Sequence, residues 1–228
     1  MNRLIILTVF LLSSILTFSQ SSCLRTYELN SKSICIPKFD ELTECYSNEF
    51  FSLYADMLRG TKDEIILAFY MSRSDSINFL SNVLSEQIAL NDLYCKIYSS
   101  ETSNNFNVRD SDLDLVLEAS INIMQQVDTT KFFTDSMNSV LAESNIVFHR
   151  PLLLDHYKLQ DNIRTILSIL IFSENNSVSK MTVSMHLIAV KNRLIFIATY
   201  EQFKDFNSLK KLEEKSNSFA KQFFNNNL

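Results

Sequence analysis

Three histidines are the residues of this chain best suited to acid–base or metal chemistry. An imidazole ionises near neutral pH and binds metal ions through its ring nitrogens. His149 and His156 lie in one predicted strand with Asp155 between them, an arrangement that raises the hypothesis of a metal ion or an acid–base pair. Seven extended residues, however, separate two side chains by roughly 20 Å and turn them to opposite faces. Only a sharp bend at Pro151 would bring them together, so we predict no metal site here.

The third histidine, His186, alternates with Met185 and Leu187 on a predicted strand. Its side chain therefore faces away from theirs, at a position that is exposed to solvent or covered by a helix. Serines are abundant, but no local motif selects one as a nucleophile, so no Ser–His–Asp triad can be assigned. We predict no catalytic residue and no cofactor; an enzymatic role stays open but is not favoured.

A carboxylate series at Asp110, Asp112 and Asp114 has the alternate spacing of calcium ligands. An EF-hand loop also needs a central glycine and a glutamate at its twelfth position. The only glycine is Gly60, and Ile121 occupies the twelfth position. The pattern favours carboxylates at the positive end of a helix.

The low glycine content excludes several classes of enzymatic site. A P-loop, a GxGxxG dinucleotide turn and a GxSxG nucleophile elbow each need neighbouring glycines, and this chain has one glycine in 228 residues. The net charge of −5 and the lack of a basic stripe argue against binding to nucleic acid or to an anionic membrane surface.

Six aromatic residues on predicted strands form a further candidate site. Such rings can stack on a sugar or another planar ligand, although core packing explains them more simply. The six are Phe69, Tyr70, Tyr94, Tyr98, Phe196 and Tyr200.

Residues 1–19 have the three parts of a secretory signal peptide. Arg3 supplies the positive charge, Leu4–Leu12 is apolar, and small residues at Thr17 and Ser19 predict cleavage before Gln20. The mature protein is therefore expected in the periplasm or outside the cell. Lipidation of Cys23 would tether it instead, but the aliphatic residue normally found three positions earlier is missing.

Cysteine pairing is plausible in such an oxidising compartment. Cys23, Cys35, Cys45 and Cys95 permit two disulfides in three connectivities, and their spacing is unlike that of a zinc site. Cys35 and Cys45 are nearest in sequence and flank a predicted turn, so we predict this bridge as a possible disulfide. Buried free thiols remain the alternative.

No linker divides residues 20–228, which we predict to form one domain. Alternating or continuous apolar patterns predict strands at 26–36, 64–71, 93–98, 146–157, 163–172, 180–190 and 193–201. Patterns of helical period predict helices at 48–59, 76–89, 111–127, 131–143 and 208–224. Lys191 and Asn192 form a predicted two-residue hairpin connection. The order indicates an α+β protein: an αβα sandwich with a largely antiparallel sheet, ending in a β-meander and an amphipathic helix.

The segment MHLIAVKNRLIFIATYEQFKDFNSLKKLEEKSNSFAKQFF resembles the C-terminal hairpin and helix of PsbP-like exported proteins. The segments CIPKFDELTECYSNEFF and EIILAFYM, with the TFSQ ending of the signal, are similar to uncharacterised exported proteins of Bacteroidetes type. The resemblance covers about half of the mature chain. It implies an αβα sandwich and carries over no catalytic residue, since such proteins are mostly assembly factors, extrinsic subunits or proteins of unknown role.

The sequence thus predicts an exported envelope protein that acts as a non-enzymatic binding or accessory module. Its expected partner is a protein or small ligand of the envelope, and the mature chain has no predicted transmembrane segment. Two alternatives remain: an envelope hydrolase with an unorthodox site, and a small-ligand carrier that uses the aromatic sheet face.

Overall fold

The computed structural model describes residues 23–82, 93–126, 131, 134–135, 146–174 and 177–228. The predicted signal peptide lies outside these residues, as do residues 83–89 of one predicted helix and most of the predicted helix 131–143. The chain has the predicted α+β fold, built on a large antiparallel sheet.

The strands and helices of the described part begin and end as follows. The strands are β1 (Cys23–Leu29), β2 (Lys32–Pro37), β3 (Leu42–Glu44), β4 (Glu64–Ser72), β5 (Tyr94–Ser100), β6 (Val147–Phe148), β7 (Leu152–Gln160), β8 (Ile163–Glu174), β9 (Ser177–Val190) and β10 (Arg193–Gln202). The helices are α1 (Glu49–Met57), α2 (Arg73–Asn82), α3 (Glu101–Asn104), α4 (Leu113–Met124) and α5 (Phe206–Asn225), with a 3-10 turn at Asp110–Asp112 before α4.

The main sheet has eight strands in the order β3-β4-β5-β10-β9-β8-β6, and β7 also pairs with β8. Its described strand pairs are antiparallel. The C-terminal strands form the predicted meander, with β8, β9 and β10 joined in sequence. Because β5, β9 and β10 are interior strands, most of their side chains are buried on both faces.

One face of the sheet is covered by α5 and by the separate β1–β2 hairpin. Helix α5 starts at a capping box in which Asp205 accepts from the Ser208 backbone N–H at 2.7 Å and the Ser208 hydroxyl oxygen accepts from the Asp205 N–H at 3.1 Å. Its buried stripe includes Leu212, Phe219 and Phe223. Helices α1 and α4 pack on the opposite face, so the architecture is the predicted αβα sandwich.

Two tight turns are built without glycine. Lys191 and Asn192 have φ of 50° and 62°, the left-handed values that a two-residue hairpin with a type I′ turn requires. Asn30 and Ser31 have φ of 45° and 62° and join β1 to β2. The single strand predicted at 26–36 is therefore wrong, because the β-forming residues on both sides of this turn concealed it.

The β1–β2 hairpin depends on side-chain anchors for its position, since a two-stranded hairpin is marginal alone. Arg25 Nη2 donates to Glu44 Oε1 at 3.1 Å and to the Leu67 carbonyl oxygen at 2.6 Å. Near the C-terminus, the buried Asn227 amide accepts from the Cys35 backbone N–H at 2.7 Å and donates to the Cys35 carbonyl oxygen at 2.9 Å.

The disulfide joins Cys23 to Cys35, whose Cα atoms are 5.5 Å apart, and Cys45 and Cys95 are buried free cysteines. The predicted Cys35–Cys45 bridge is therefore wrong. Cys45 packs in the layer of α1, whereas the hairpin that carries Cys35 lies on the opposite face of the sheet. Antiparallel pairing of β1 with β2 places Cys23 opposite Pro37, two residues from Cys35, with which it forms the disulfide.

Replacing Asn227 with Ala should lower the free energy of unfolding by about 1–3 kcal/mol, because two buried backbone groups of Cys35 lose their partner. Urea unfolding measures the loss. Asn225→Ala is the matched control, since Asn225 is exposed at the end of α5. Equal losses in the two variants would contradict this role of Asn227.

Candidate functional site

His149 and His156 do not form a joint site. His149 follows β6, where its N–H donates to the Ile171 carbonyl oxygen at 2.8 Å and its Nε2 lies 3.1 Å from Ser173 Oγ. His156 pairs with Ile166, further along β8. Both histidines are exposed, each beside a different part of β8.

His186 is fully buried beneath α5, the helix-covered option of the two predicted for it. Its Nδ1 lies 3.0 Å from Thr165 Oγ1, and its Nε2 lies 3.4 Å from Ser184 Oγ. Ser216 on α5 donates to Ser184 Oγ at 2.7 Å. Burial lowers the pKa of His186 from 6.5 to about 3, so the ring is neutral at physiological pH.

The serine hydroxyls beside His186 have the chemical types of a nucleophile and its base, but they lie inside the protein. Ser184 and Ser216 each have no exposed surface. A substrate bond could not reach either oxygen without displacing α5. His186, Ser184 and Ser216 therefore meet one another's hydrogen-bonding needs. Their contacts hold α5 against β8 and β9, which is a structural role.

Tyr157 on β7 makes a second polar contact with α5. Its hydroxyl donates to Glu213 Oε1 at 2.8 Å, and the Asn217 side-chain amide donates to it at 3.0 Å. Burial, with the neighbouring Glu213 carboxylate, raises the pKa of Tyr157 to about 12. These bonds fix the register of α5 against the outer strand of the sheet.

Five of the six predicted aromatic residues share the α1 and α4 side of the sheet. Tyr94 and Tyr200 stack with ring centroids 4.5 Å apart and planes 7° apart. Tyr98 and Phe196 stack at 5.0 Å and 12°. Tyr70 is the exception, because it packs beneath the β1–β2 hairpin with its hydroxyl donating to the Pro37 carbonyl oxygen at 2.8 Å.

A buried ion pair joins Lys96, which lies between Tyr94 and Tyr98 on β5, to Glu64 on β4. Lys96 Nζ is 2.7 Å from Glu64 Oε1, and only 5% of each side chain is exposed. The ammonium also donates to the Leu58 carbonyl oxygen at 3.0 Å and lies 4.7 Å from the centroid of the Tyr98 ring. Sequence reasoning missed this pair, although a lysine two residues from both Tyr94 and Tyr98 must share their face of the strand.

We call the set Tyr94, Lys96, Tyr98, Phe196 and Tyr200 the aromatic face. It occupies β5 and β10, with α1 against β4 on one side and α4 against β8 and β9 on the other. Phe196, Tyr98 and Tyr200 are partly exposed, whereas Tyr94 and Lys96 are buried. The partly exposed, stacked rings suit a planar or apolar group.

Two of the three aspartates in the series have structural partners. Asp112 Oδ2 accepts from the Arg109 backbone N–H at 2.9 Å, before the start of α4. Asp114 accepts from Arg164 Nε at 2.5 Å and Nη2 at 3.2 Å, and this hydrogen bonding lowers the pKa of Asp114. Within the residues that the structure describes, no group of three or more His, Cys, Asp or Glu side chains could hold a metal ion.

The two free thiols are poor nucleophiles in this environment. Burial raises the pKa of Cys95 to about 12, and burial together with the Glu44 charge raises that of Cys45 to about 11. A thiolate, rather than a thiol, is the reactive form. Neither cysteine is therefore suited to nucleophilic catalysis.

No protein-family model and no curated protein matches the chain. The solved structures that align with it include the Ran-binding protein Mog1p of Saccharomyces cerevisiae and a point mutant of Mog1. Each is 11% identical, with a TM-score of 0.33. The alignments cover 89% of this chain and 90% and 91% of those chains. A similarity this low carries no argument about function.

None of the helices in the part of the chain described above is both long and apolar enough to cross a membrane.

Replacing Lys96 with Met should lower the free energy of unfolding by about 3–5 kcal/mol, because it leaves the Glu64 carboxylate buried without its counter-ion. The double variant Lys96→Met with Glu64→Leu should recover most of this loss. The control is Lys215→Met, since Lys215 pairs with Glu41 at the surface and should contribute less than about 1 kcal/mol. Urea unfolding compares the three, and no recovery in the double variant would contradict the ion-pair interpretation.

The low pKa of His186 predicts acid sensitivity. Below pH 6.5 the unfolded chain binds a proton at this histidine that the folded protein refuses down to about pH 3. The free energy of unfolding should therefore decrease as the pH is lowered from 6.5 to about 3. This residue contributes up to about 1.4 kcal/mol per pH unit to the decrease. His186→Gln should flatten the slope between pH 6 and 4, whereas the exposed control His156→Gln should not. Identical slopes in all three proteins would show that His186 does not contribute.

Proposed function

We propose that this protein is exported to the bacterial envelope and acts there as a non-enzymatic binding or accessory module. The burial of the chemically reactive side chains supports the non-enzymatic part of this proposal. His186, Lys96 and Glu64 are buried against structural partners, and Cys45 and Cys95 are buried thiols. What the sheet presents instead is a partly exposed aromatic surface.

The observation that carries the proposal is the paired stacking on the aromatic face. Tyr98 and Phe196 lie on interior strands yet keep part of their surface exposed, as does Tyr200. Tyr98 is held rigidly, since its hydroxyl donates to Met185 Sδ at 3.3 Å and its ring lies under Lys96 Nζ. A rigid aromatic surface binds a partner with little loss of side-chain entropy.

A second candidate is a carrier of a small ligand, and the same stacks favour it. Their parallel planes offer flat surfaces against which a sugar or a planar ring can pack. The hydrolase alternative has weaker support. His149 does contact Ser173, but within the described residues no carboxylate bonds to His149 to orient it as a base.

A photo-crosslinking experiment tests the proposal. Benzoylphenylalanine replaces Tyr200 on the aromatic face or, as the matched control, Tyr157 on the opposite face, and the tagged protein is irradiated in intact envelopes. We expect a defined adduct from position 200 and none from position 157. A second substitution, Tyr98→Ala, should weaken the adduct because it removes the neighbouring stack.

The size of the adduct separates the candidates. An adduct of protein mass supports the accessory module, and one of a few hundred daltons supports the small-ligand carrier. Equal labelling from positions 200 and 157 would contradict a binding role for the aromatic face. Hydrolytic activity lost in His149→Gln with unchanged folding would favour the hydrolase.

A further inference from the structure

Cys23 has two possible chemical fates in an exported chain, and both consume the same sulfur atom. A lipid anchor forms when Sγ displaces the phosphate headgroup from the diacylglyceryl carbon of a phospholipid donor, so that a thioether C–S bond replaces a C–O bond and the thiol proton is lost. A disulfide forms when Sγ and the sulfur of a second cysteine lose two electrons and two protons to a thiol–disulfide oxidant, whose own disulfide is reduced. A sulfur engaged in one bond is closed to the other.

The structure places Cys23 where the second fate is favoured. It begins β1 opposite Pro37 of β2, two residues from Cys35, and its Cα lies 5.5 Å from that of Cys35. This separation lies within the range that a disulfide spans without backbone movement. Cys35 is held in place from the other side by its two backbone bonds to Asn227.

The Cys23–Cys35 disulfide has a structural role in the β1–β2 hairpin. Most of β1 is exposed, and a terminal strand with so little buried surface frays unless it is tied down. Arg25 anchors it two residues after Cys23, through Glu44 and the Leu67 carbonyl. The disulfide fastens the end of the strand itself, beyond the reach of that anchor.

We propose that Cys23 is consumed by the disulfide with Cys35, so that the exported protein carries no lipid and is released into its compartment. This inference rests on the export that the proposed function includes. In the oxidised protein, the Cys23–Cys35 disulfide holds the N-terminal strand in place. Cys45 and Cys95 are then the free thiols.

Intact mass spectrometry of the full chain, expressed with a C-terminal tag in a Gram-negative host that makes lipoproteins, tests the inference. The protein is denatured and treated with N-ethylmaleimide before and after reduction. We expect a chain that starts at Gln20, has no lipid mass, and takes up two maleimides before reduction and four after it. The control Cys45→Ser should lose one maleimide in both measurements, whereas Cys35→Ser should take up three in both.

The outcomes separate failure of this inference from failure of the proposed function. A cleaved chain with diacylglyceryl mass on Cys23, or one with four free thiols, would overturn the disulfide assignment and leave export intact. A chain that retains residues 1–19 would contradict export itself. Lipid found only in Cys35→Ser, whose maleimide uptake would then be two instead of three, would support competition between the two fates for the Cys23 sulfur.

Discussion

The structure depends on the double-sided burial of the interior strands β5, β9 and β10. A buried polar group on these strands is costly unless it finds a partner inside the protein. On the α5 side this need is met by the contacts of His186 with Thr165 and Ser184. On the other side it is met by the ion pair of Lys96 and Glu64. His186, Lys96 and Glu64 are of the residue types used in catalysis, but their contacts here hold the helices and strands in register.

The same constraint shapes the surface that we propose for binding. Among the described residues, helices α1 and α4 pack against the outer strands of their face of the sheet, and β5 and β10 carry the aromatic face between them. Tyr98 and Phe196 are ordered by stacking and by the nearby ammonium of Lys96. The interior packing therefore also makes this surface rigid.

Much of the fold could be predicted because its signals are local. The meander from β8 to β10 and the amphipathic α5 follow from alternation and helical period, and Asn192 indicates the turn between β9 and β10. The turn at Asn30 and Ser31 could not be separated from its flanking strands by composition. The candidate site was predicted in part: five of the six aromatic residues share a face, but Tyr70 packs on the other one, and Lys96 with Glu64 went unnoticed.

By itself, the sequence determined the α+β class, the amphipathic helices and the exclusion of glycine-rich nucleotide sites, since each depends on residue type and spacing along the chain. Only the tertiary structure decided which cysteines pair, which histidine is buried and which charges meet. Cys35 lies nearer to Cys45 in sequence, yet the sheet separates their layers and strand pairing brings Cys23 to Cys35. Contacts between residues distant in sequence depend on register and layer, and these are set by the packing of the whole chain rather than by any local segment.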